Sequence, residues 1–406
     1  MRATKPFSAV AATLAMLFLG AAPARAAVHV QCPVKTGGAV LGDTNGDGMI
    51  RADNGEITNP VSAHEVCMAL SAGDGFVTMA DGSEIYTFGF NNVTGLADGD
   101  IMQAGFLAAN FPAPTIDLRE GDEFYLTLTN VAMAMRPDLF DAHSIHFHGF
   151  PNAAPIFDGL PEASITIDQG SSLTYYYKIV IPGTYIYHCH VEAAEHMQMG
   201  MLGNLFVRPA QDGQSKTFNG KTYTKFAYSD GDGSTGYDKA YAIQLGSFDP
   251  VFHTADLNIQ PPPFAIMKDK YAMLNGRGYP DTVNPGFLDP PPDNGGKASQ
   301  RISSLIQAAP NQRILLRITN LDVTRFYTLG ISGMRMKVVG LDARQLNEGL
   351  YYDTNSLTLG GGESFDVILD TTNVPAGTYF LYTTNLNYLS NNTEDYGGMM
   401  TEIVVQ

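Results

Sequence analysis

The chain has few cysteines, few positive charges, few long apolar runs and few helical patterns, and each shortage argues against a class of fold, partner or location. Its 24 Lys and Arg residues are outnumbered by 41 Asp and Glu, for a net charge of -17, which argues against nucleic acid as a partner. Beyond residue 26 no segment is apolar enough to cross a membrane. The scarcity of long amphipathic patterns argues against a helical fold. The three cysteines allow one disulfide and leave one thiol unpaired.

Residues 1–26 are typical of a secretory signal peptide. Arg2 and Lys5 give a basic start, residues 9–22 are apolar, and residues 24–26 form a small-x-small cleavage site. An N-terminal membrane anchor is the alternative, but the apolar stretch is short for a bilayer span. Cleavage would remove three positive charges and leave a net charge of -20. We therefore expect a mature chain in the periplasm or outside the cell.

Short alternating runs punctuated by Pro and Gly make up most of the remaining sequence. Examples are residues 124–129, 165–167 and 314–319. Such runs predict antiparallel strands packed as β-sandwiches. The Pro- and Gly-rich stretch 261–296 predicts a surface loop.

An internal repeat divides the chain. Residues 120–130 recur as residues 311–320, and residues 181–185 recur as residues 374–379. Each copy ends in an apolar strand after a Gly-Met pair. The repeat predicts two related sandwiches and an N-terminal extension, with the bounds 76–210, 215–406 and 27–75 respectively.

The cysteines of the extension predict a disulfide. Cys32 and Cys67 both lie there, and an exported protein folds in an oxidising compartment, so they are the natural pair. Cys189 is then left as a free thiol, which needs a reason in such a compartment.

The extension also contains the opening of a calcium loop. Asp43, Asn45 and Asp47 offer oxygen ligands at alternate positions before a turn glycine. The final carboxylate is missing, because position 12 of the loop is Asn54. A plain Asp/Asn/Gly turn is therefore the alternative to a bound calcium ion.

Six of the nine histidines fall in two short segments, residues 143–148 and 188–196, and the second segment includes the unpaired cysteine. A blue, or type 1, copper takes two imidazoles and a thiolate in a trigonal plane, with a distant thioether on the axis. The sequence therefore predicts a type 1 copper ligand set, which consists of His143, Cys189, His196 and Met201.

Strand geometry places the other histidines on the opposite face. Successive side chains of a strand alternate between faces, so Cys189 points away from His188 and His190. The same parity groups His146 with His148. A buried Cys or an isolated His-x-His pair is more often part of a core, but here the full ligand set occurs in order. We predict two metal environments, back to back, joined through the main chain of Cys189.

These residues resemble the multicopper oxidases, the family of laccases and their relatives. The resemblance rests on residues 111–122, on residues 143–149 and on the His-Cys-His segment that ends in Gly200-Met201, and it covers residues 76–406. It implies an all-β fold of two cupredoxin-like Greek-key β-sandwich domains and a laccase-like, copper-dependent oxidoreductase. It also implies a second copper centre, with a type 2 ligand at His146 and type 3 ligands at His148, His188 and His190. The two-domain arrangement with a blue site in the first domain is similar to the trimeric two-domain oxidases and to the copper nitrite reductases, and this resemblance implies a homotrimer.

Two departures from the family pattern concern the second centre. Five residues separate His190 from His196, which is more than the family pattern has. A full trinuclear cluster also takes a second pair of His-x-His motifs, and the repeat offers none. The positions that align with the first copy's histidines and cysteine hold Tyr327, Gly330, Ser332, Tyr382, Thr383 and Thr384. The second sandwich is therefore predicted to be structural, and the second centre to be partial or atypical.

Three functions fit this pattern. The leading hypothesis is an oxidoreductase that passes electrons from an external donor through the blue copper to the second centre and on to oxygen. The donor would be a small molecule, a reduced metal ion or a redox partner protein. A single-copper electron carrier is the second hypothesis. The third is a nitrite reductase-like enzyme whose copper is bound by His146, His188 and a neighbouring chain's histidine, with Asp141 or Asp158 as proton donor.

Overall fold

The computed structural model describes residues 49–51, 64–150, 153–347 and 349–406 of the chain. The predicted signal peptide, Cys32 and the calcium-loop residues Asp43, Asn45 and Asp47 lie outside the described residues. Within them the regular secondary structure is mostly strand, and the α-helices have five to eight residues. The prediction of an all-β fold is confirmed. No helix among the described residues is long and apolar enough to cross a membrane.

Two sheets form the first sandwich, with the orders β1-β4-β9-β8-β6 and β3-β2-β5-β7. Their elements are β1 (Met49–Arg51), β2 (Glu65–Thr78), β3 (Glu84–Asn92), α1 (Ile101–Gly105), β4 (Thr115–Arg119), β5 (Glu123–Asn130), β6 (His146–Phe147), β7 (Ser172–Lys178), β8 (Gly183–His188), α2 (Ala193–Met199) and β9 (Leu202–Arg208). Alternate residues of β5, namely Phe124, Leu126 and Leu128, are fully buried. β2 begins at Glu65, ahead of residue 76, where the sequence predicts the first sandwich to start. The first half of β2 pairs in parallel with β5 and is therefore part of the same sheet.

A short hairpin, β10 (Lys216–Phe218) and β11 (Lys221–Tyr223), leads to the second sandwich. Its elements are β12 (Lys239–Phe248), α3 (Pro250–Leu257), β13 (Tyr271–Leu274), β14 (Ile306–Ala308), β15 (Arg313–Asn320), β16 (Tyr327–Ile331), β17 (Met336–Leu341), β18 (Arg344–Gln345), β19 (Tyr352–Thr354), β20 (Ser356–Leu359), β21 (Ser364–Asp370), β22 (Gly377–Thr383) and β23 (Met400–Val405). The sheets run β13-β12-β15-β21-β17-β18, with β19 on β17, and β14-β23-β22-β16-β20.

The stretch 261–296 is more ordered than its composition predicts. The loop interpretation is wrong for residues 271–274, which form β13, pair with β12 and are all buried. The surrounding Pro and Gly residues hide this strand, because it is only four residues long.

A buried polar contact joins the two sandwiches at β8. Thr184 Oγ1 donates to Asp366 Oδ1 at 2.5 Å, and Arg317 Nη1 donates to Thr184 Oγ1 at 3.0 Å. Arg317 also pairs with Asp366 at 3.4 Å, and both side chains are nearly inaccessible. Removal of one partner would leave an uncompensated buried charge, so this contact fixes the second sandwich against the strand that ends at His188.

Helix α3 of the second sandwich makes a second contact with the first sandwich. Asp249 caps the helix by accepting a hydrogen bond from Val251 N. His253 is buried, its Nδ1 donates to Tyr86 O at 2.6 Å, and its ring lies 4.4 Å from that of Phe248. Burial lowers the pKa of His253 to about 4, although Tyr86 O and nearby carboxylates oppose the shift.

The neutral His253 predicts an acid-dependent loss of stability. An unfolded chain binds a proton at this histidine below about pH 6.5, whereas the folded chain does so only near pH 4. The folded state should therefore lose roughly 3 kcal/mol from this group as the pH falls through that window. Unfolding midpoints measured across the window should vary less in His253→Gln than in the wild type. Val251→Ala, at an exposed and non-titrating position of the same helix, is the control, and identical pH profiles for wild type and His253→Gln would contradict the assignment.

Candidate metal centre

The pairing of β6 with β8 sorts the predicted ligands onto two faces. The register places His146 opposite His188, with both rings on the same side. The next residue, Cys189, is completely buried on the other side and is the free cysteine of the described residues. The alternation predicted from the sequence is therefore present in the structure.

Helix α2 returns the chain to Cys189. Glu192 precedes the helix with a φ of 46°, and Gly200 follows it with a φ of 117°. A Cβ at Gly200 would lie 2.8 Å from Phe88 O, so this sharp exit requires glycine. The two turns bring His196 Nδ1 to 3.2 Å from Cys189 Sγ.

The first ligand group consists of His143, Cys189 and His196, all with no exposed surface. His143 Nδ1 lies 3.7 Å from Cys189 Sγ. Met201 is buried beside them, and its main chain bonds to two members of the group. Met201 O accepts from Cys189 N at 3.1 Å, and Met201 N donates to His196 O at 2.8 Å.

This donor set fits a blue copper. Ligand atoms about 2.0 and 2.3 Å from one ion in a trigonal plane lie roughly 3.8 Å apart, close to the separations between sulfur and the two nitrogens. Burial holds the pKa of His143 well below its usual value. Burial alone would also lower the pKa of His196, but Cys189 and Asp141 together raise it to about 10, so the pocket attracts a positive charge.

The second ligand group consists of His146, His148 and His188. In each ring a main-chain carbonyl oxygen faces Nδ1: Asp158 O at 2.6 Å from His146, Gly362 O at 3.5 Å from His148 and Cys189 O at 2.7 Å from His188. An oxygen at Nδ1 fixes the tautomer and leaves Nε2 free to bind metal. His148 Nε2 and His188 Nε2 lie 3.0 Å apart, which suits two imidazoles on one ion.

The fourth predicted histidine of this face stands beside the group. The His190 ring lies 5.1 Å from that of His146 and 5.5 Å from that of His188. Burial lowers the pKa values of His146 and His148, and lowers that of His188 to about 3. The imidazoles of His146, His148 and His188 are therefore neutral at ordinary pH, the form in which histidine binds a metal.

The second sandwich contains a counterpart of the first ligand pocket, with equivalent strand pairing and main-chain hydrogen bonds. Gly330 pairs with Tyr382 as His146 pairs with His188. Thr383 N donates to Met399 O at 2.9 Å, as Cys189 N does to Met201 O. The sequence repeat aligned these same positions.

The counterpart of His196 is Tyr388, which the repeat did not reveal. Met399 N donates to Tyr388 O at 2.9 Å, and the Tyr388 ring lies 5.2 Å from that of Tyr327. The corresponding rings of His143 and His196 are 5.1 Å apart. Tyr327 OH donates instead to Asp322, so a hydrogen-bonded core replaces the ligand set. The fold has kept the pocket and exchanged its side chains.

A cavity of about 420 Å³ opens beside the second ligand group, between the sandwiches. Asp342, Gly362 and Ser364 of the second sandwich line it opposite His146 and His148. A Cβ at Gly362 would lie 3.0 Å from the His148 ring, so a larger residue there would displace this histidine. Sequence reasoning missed these lining residues, because no motif marks them.

The remaining predicted residues lie near one group or the other. Asp141 Oδ2 is 3.5 Å from His196 Nε2, and Asp158 Oδ1 is 3.7 Å from His146 Nδ1. Cys67 is disulfide-bonded. Its predicted partner lies outside the described residues.

Two family models, both described as multicopper oxidase, match residues 95–212 and 266–406. Together they cover more than half of the chain. The residues of both ligand groups fall within the first match, and the second match lies in the second sandwich.

Curated relatives include an L-ascorbate oxidase of Nicotiana tabacum, which is 25% identical over 293 residues, covering 70% of this chain and 45% of that one. Copper resistance protein A of Pseudomonas syringae pv. tomato is 25% identical over 287 residues, covering 64% of this chain and 41% of that one. The chain thus spans less than half the length of these relatives.

Solved structures show the same fold. A blue copper oxidase from Nitrosomonas europaea superposes with a TM-score of 0.63 at 22% identity, covering 84% of this chain and 86% of that one. A copper nitrite reductase from Nitrosomonas europaea superposes with a TM-score of 0.55 at 19% identity, covering 84% and 94% respectively.

Proposed function

Because the chain belongs to the multicopper oxidase family, we propose that it is an exported oxidoreductase that transfers single electrons from an external donor to a second copper centre and on to oxygen. The observation that carries this proposal is the pair of ligand groups, which lie back to back at the end of β8. His143, Cys189, His196 and Met201 would hold the type 1 copper. His146, His148, His188 and His190 would hold the second centre. Copper at these sites supplies one-electron redox chemistry.

The polypeptide joins the two groups by a short path. Cys189 follows His188 directly in the chain, and His188 Nδ1 donates to Cys189 O at 2.7 Å. The thiolate and the imidazole are therefore connected both through the main chain and through this hydrogen bond. The contact between Thr184 and Asp366 holds the same strand against the second sandwich.

Burial separates the two groups from bulk water in different degrees. The first group has no exposed surface, which suits electron transfer without access of oxygen. The second group borders the cavity, so a small acceptor can reach His146 and His148. Oxygen reduction is thus proposed at the second group alone.

Oxygen uptake tests the proposal. Copper-loaded protein should consume oxygen with hydroquinone as donor, and uptake should require the copper. The control is protein loaded with zinc, which binds imidazole and thiolate but has no redox chemistry. A blue protein that binds copper but takes up no oxygen would contradict the oxidase step.

A single-copper electron carrier is the second candidate, and the second sandwich favours it. At the positions that correspond to His146 and His188, this sandwich has Gly330 and Tyr382, so its described residues add no imidazole to the second centre. A count of one copper per chain without oxygen uptake would establish the carrier.

A further inference from the structure

The wall that faces the second ligand group across the cavity belongs to the second sandwich of the same chain. Ser364 Oγ donates to Thr184 O at 2.9 Å, and Ser364 N donates to Asp342 Oδ1 at 2.9 Å. A Cβ at Gly183 would lie 2.6 Å from Ala343 Cα, so this wall packs directly against the start of β8. The described residues of the wall therefore offer carboxylate, hydroxyl and carbonyl oxygens to the cavity, but no imidazole.

The chain has too few histidines to complete a trinuclear cluster. Such a cluster takes a second pair of His-x-His motifs, which would supply four more imidazoles. Apart from the six histidines of residues 143–148 and 188–196, the sequence contains only His29, His64 and His253. His253 is buried, so a neighbouring copy of the chain could add no more than the other two. The residues therefore do not fit three coppers at the second ligand group.

Three imidazoles of the second ligand group fit a single ion. The ligand atoms of His146, His148 and His188 all lie within 4.8 Å of one another, and the Nε2 atoms of His148 and His188 are 3.0 Å apart. The His190 ring stands beside them, 5.1 Å from that of His146. A second ion on this face would have His190 as its one remaining imidazole, so the described residues complete one site.

We propose that the second ligand group binds a single copper ion through His146, His148 and His188, and that the chain consequently reduces oxygen to hydrogen peroxide. The inference rests on the proposed function, because it names the number of coppers and the product of the same centre. Copper passes one electron at a time, so a chain with two coppers delivers two electrons to oxygen in one cycle. Formation of two waters would take four.

The atoms and electrons balance with a one-electron donor such as ferrocyanide. Two ferrocyanide ions lose one electron each and become ferricyanide. One oxygen molecule gains these two electrons together with two protons from the solvent, so two O–H bonds form and the O–O bond stays intact. The cavity of about 420 Å³ gives oxygen and the released peroxide room beside His146 and His148.

Spin counting on the oxidised, copper-loaded protein tests the single ion without turnover. Copper analysis should give two ions per chain, and the integrated electron spin resonance signal should account for both, because a coupled pair of cupric ions gives no signal. More than two ions per chain, or copper in excess of the spins, would overturn the single ion. One ion per chain would overturn both the single ion and the proposed second centre.

The matched control for the copper count is His64→Gln. His64 is exposed, pairs with Asp122 at 3.6 Å and lies outside both ligand groups, so its variant should keep both ions. Loss of copper from His64→Gln would mean that a neighbouring copy of the chain completes the centre, which would overturn a site built by one chain alone.

Catalase identifies the product. Oxygen uptake with ferrocyanide should be half reversed when catalase is added, because catalase returns one oxygen molecule for every two of peroxide. Zinc-loaded protein is the control and should take up no oxygen. Uptake that catalase does not reverse would overturn the peroxide product and leave the proposed function intact. A blue protein with two spins per chain but no oxygen uptake would overturn the oxidase function and the peroxide product together, while the single copper site would stand.

Discussion

Replacing Cys189 with serine should abolish the strong absorption at about 600 nm that the copper-loaded wild type is expected to show. The band requires a thiolate bound to copper, and Cys189 is the free thiol between His143 and His196. A hydroxyl of similar size preserves packing in the fully buried pocket but is a poor copper ligand. The rate of electron transfer from the donor to the second centre should fall by more than about 100-fold, because the copper loses its thiolate ligand and the reduction potential that this ligand sets.

The matched control for this variant is Met199→Leu. Met199 is another fully buried sulfur, at the last residue of α2, and it is not one of the predicted copper ligands. The control should keep the blue band. Persistence of the band in Cys189→Ser would show that the thiolate is not the ligand.

Replacing His148 with alanine should separate the two centres. The variant loses one of the two Nε2 atoms that lie 3.0 Å apart, while the first group is untouched on the opposite face. We expect the blue band to persist, the second-centre copper to be lost and oxygen uptake to fall by more than about 100-fold. Copper analysis, absorption and oxygen uptake on one preparation would show all three effects.

A second variant tests whether the loss of oxygen uptake expected in His148→Ala comes from the second centre and not from misfolding of the chain. Gly362→Ala leaves every histidine in place but puts a Cβ 3.0 Å from the His148 ring, at a φ of 94° that already disfavours a side chain. It should therefore weaken the second centre less severely than His148→Ala does. Unchanged oxygen uptake in His148→Ala would mean that this face is not where oxygen reacts.

The sequence was sufficient to sort the predicted ligands onto two faces, because strand parity is a local property. His188, Cys189 and His190 must alternate in any extended segment, and the structure shows that alternation. The repeat also predicted the correspondence of Gly330 with His146. Patterns of this kind can be recognised from the sequence, because each depends on residues that are only one or two positions apart.

Contacts between distant residues could not be predicted in the same way. Gly362 faces His148 across 214 positions of sequence, and Arg136 of the first sandwich donates to Asp256 of the second across 120 positions. Tyr388 was missed because it stands in a turn whose length differs from that of the first copy. β13 was missed because four buried residues between Pro and Gly runs give too short a periodic signal.

Copper per chain, measured together with the electron spin resonance spectrum of the loaded wild type, tests the central claim most directly. Two back-to-back ligand groups predict one type 1 signal accompanied by further copper. That further copper should be absent from His148→Ala, while the type 1 signal remains. One copper per chain with a type 1 signal alone would contradict the second centre, and copper without any type 1 signal would contradict the blue site itself.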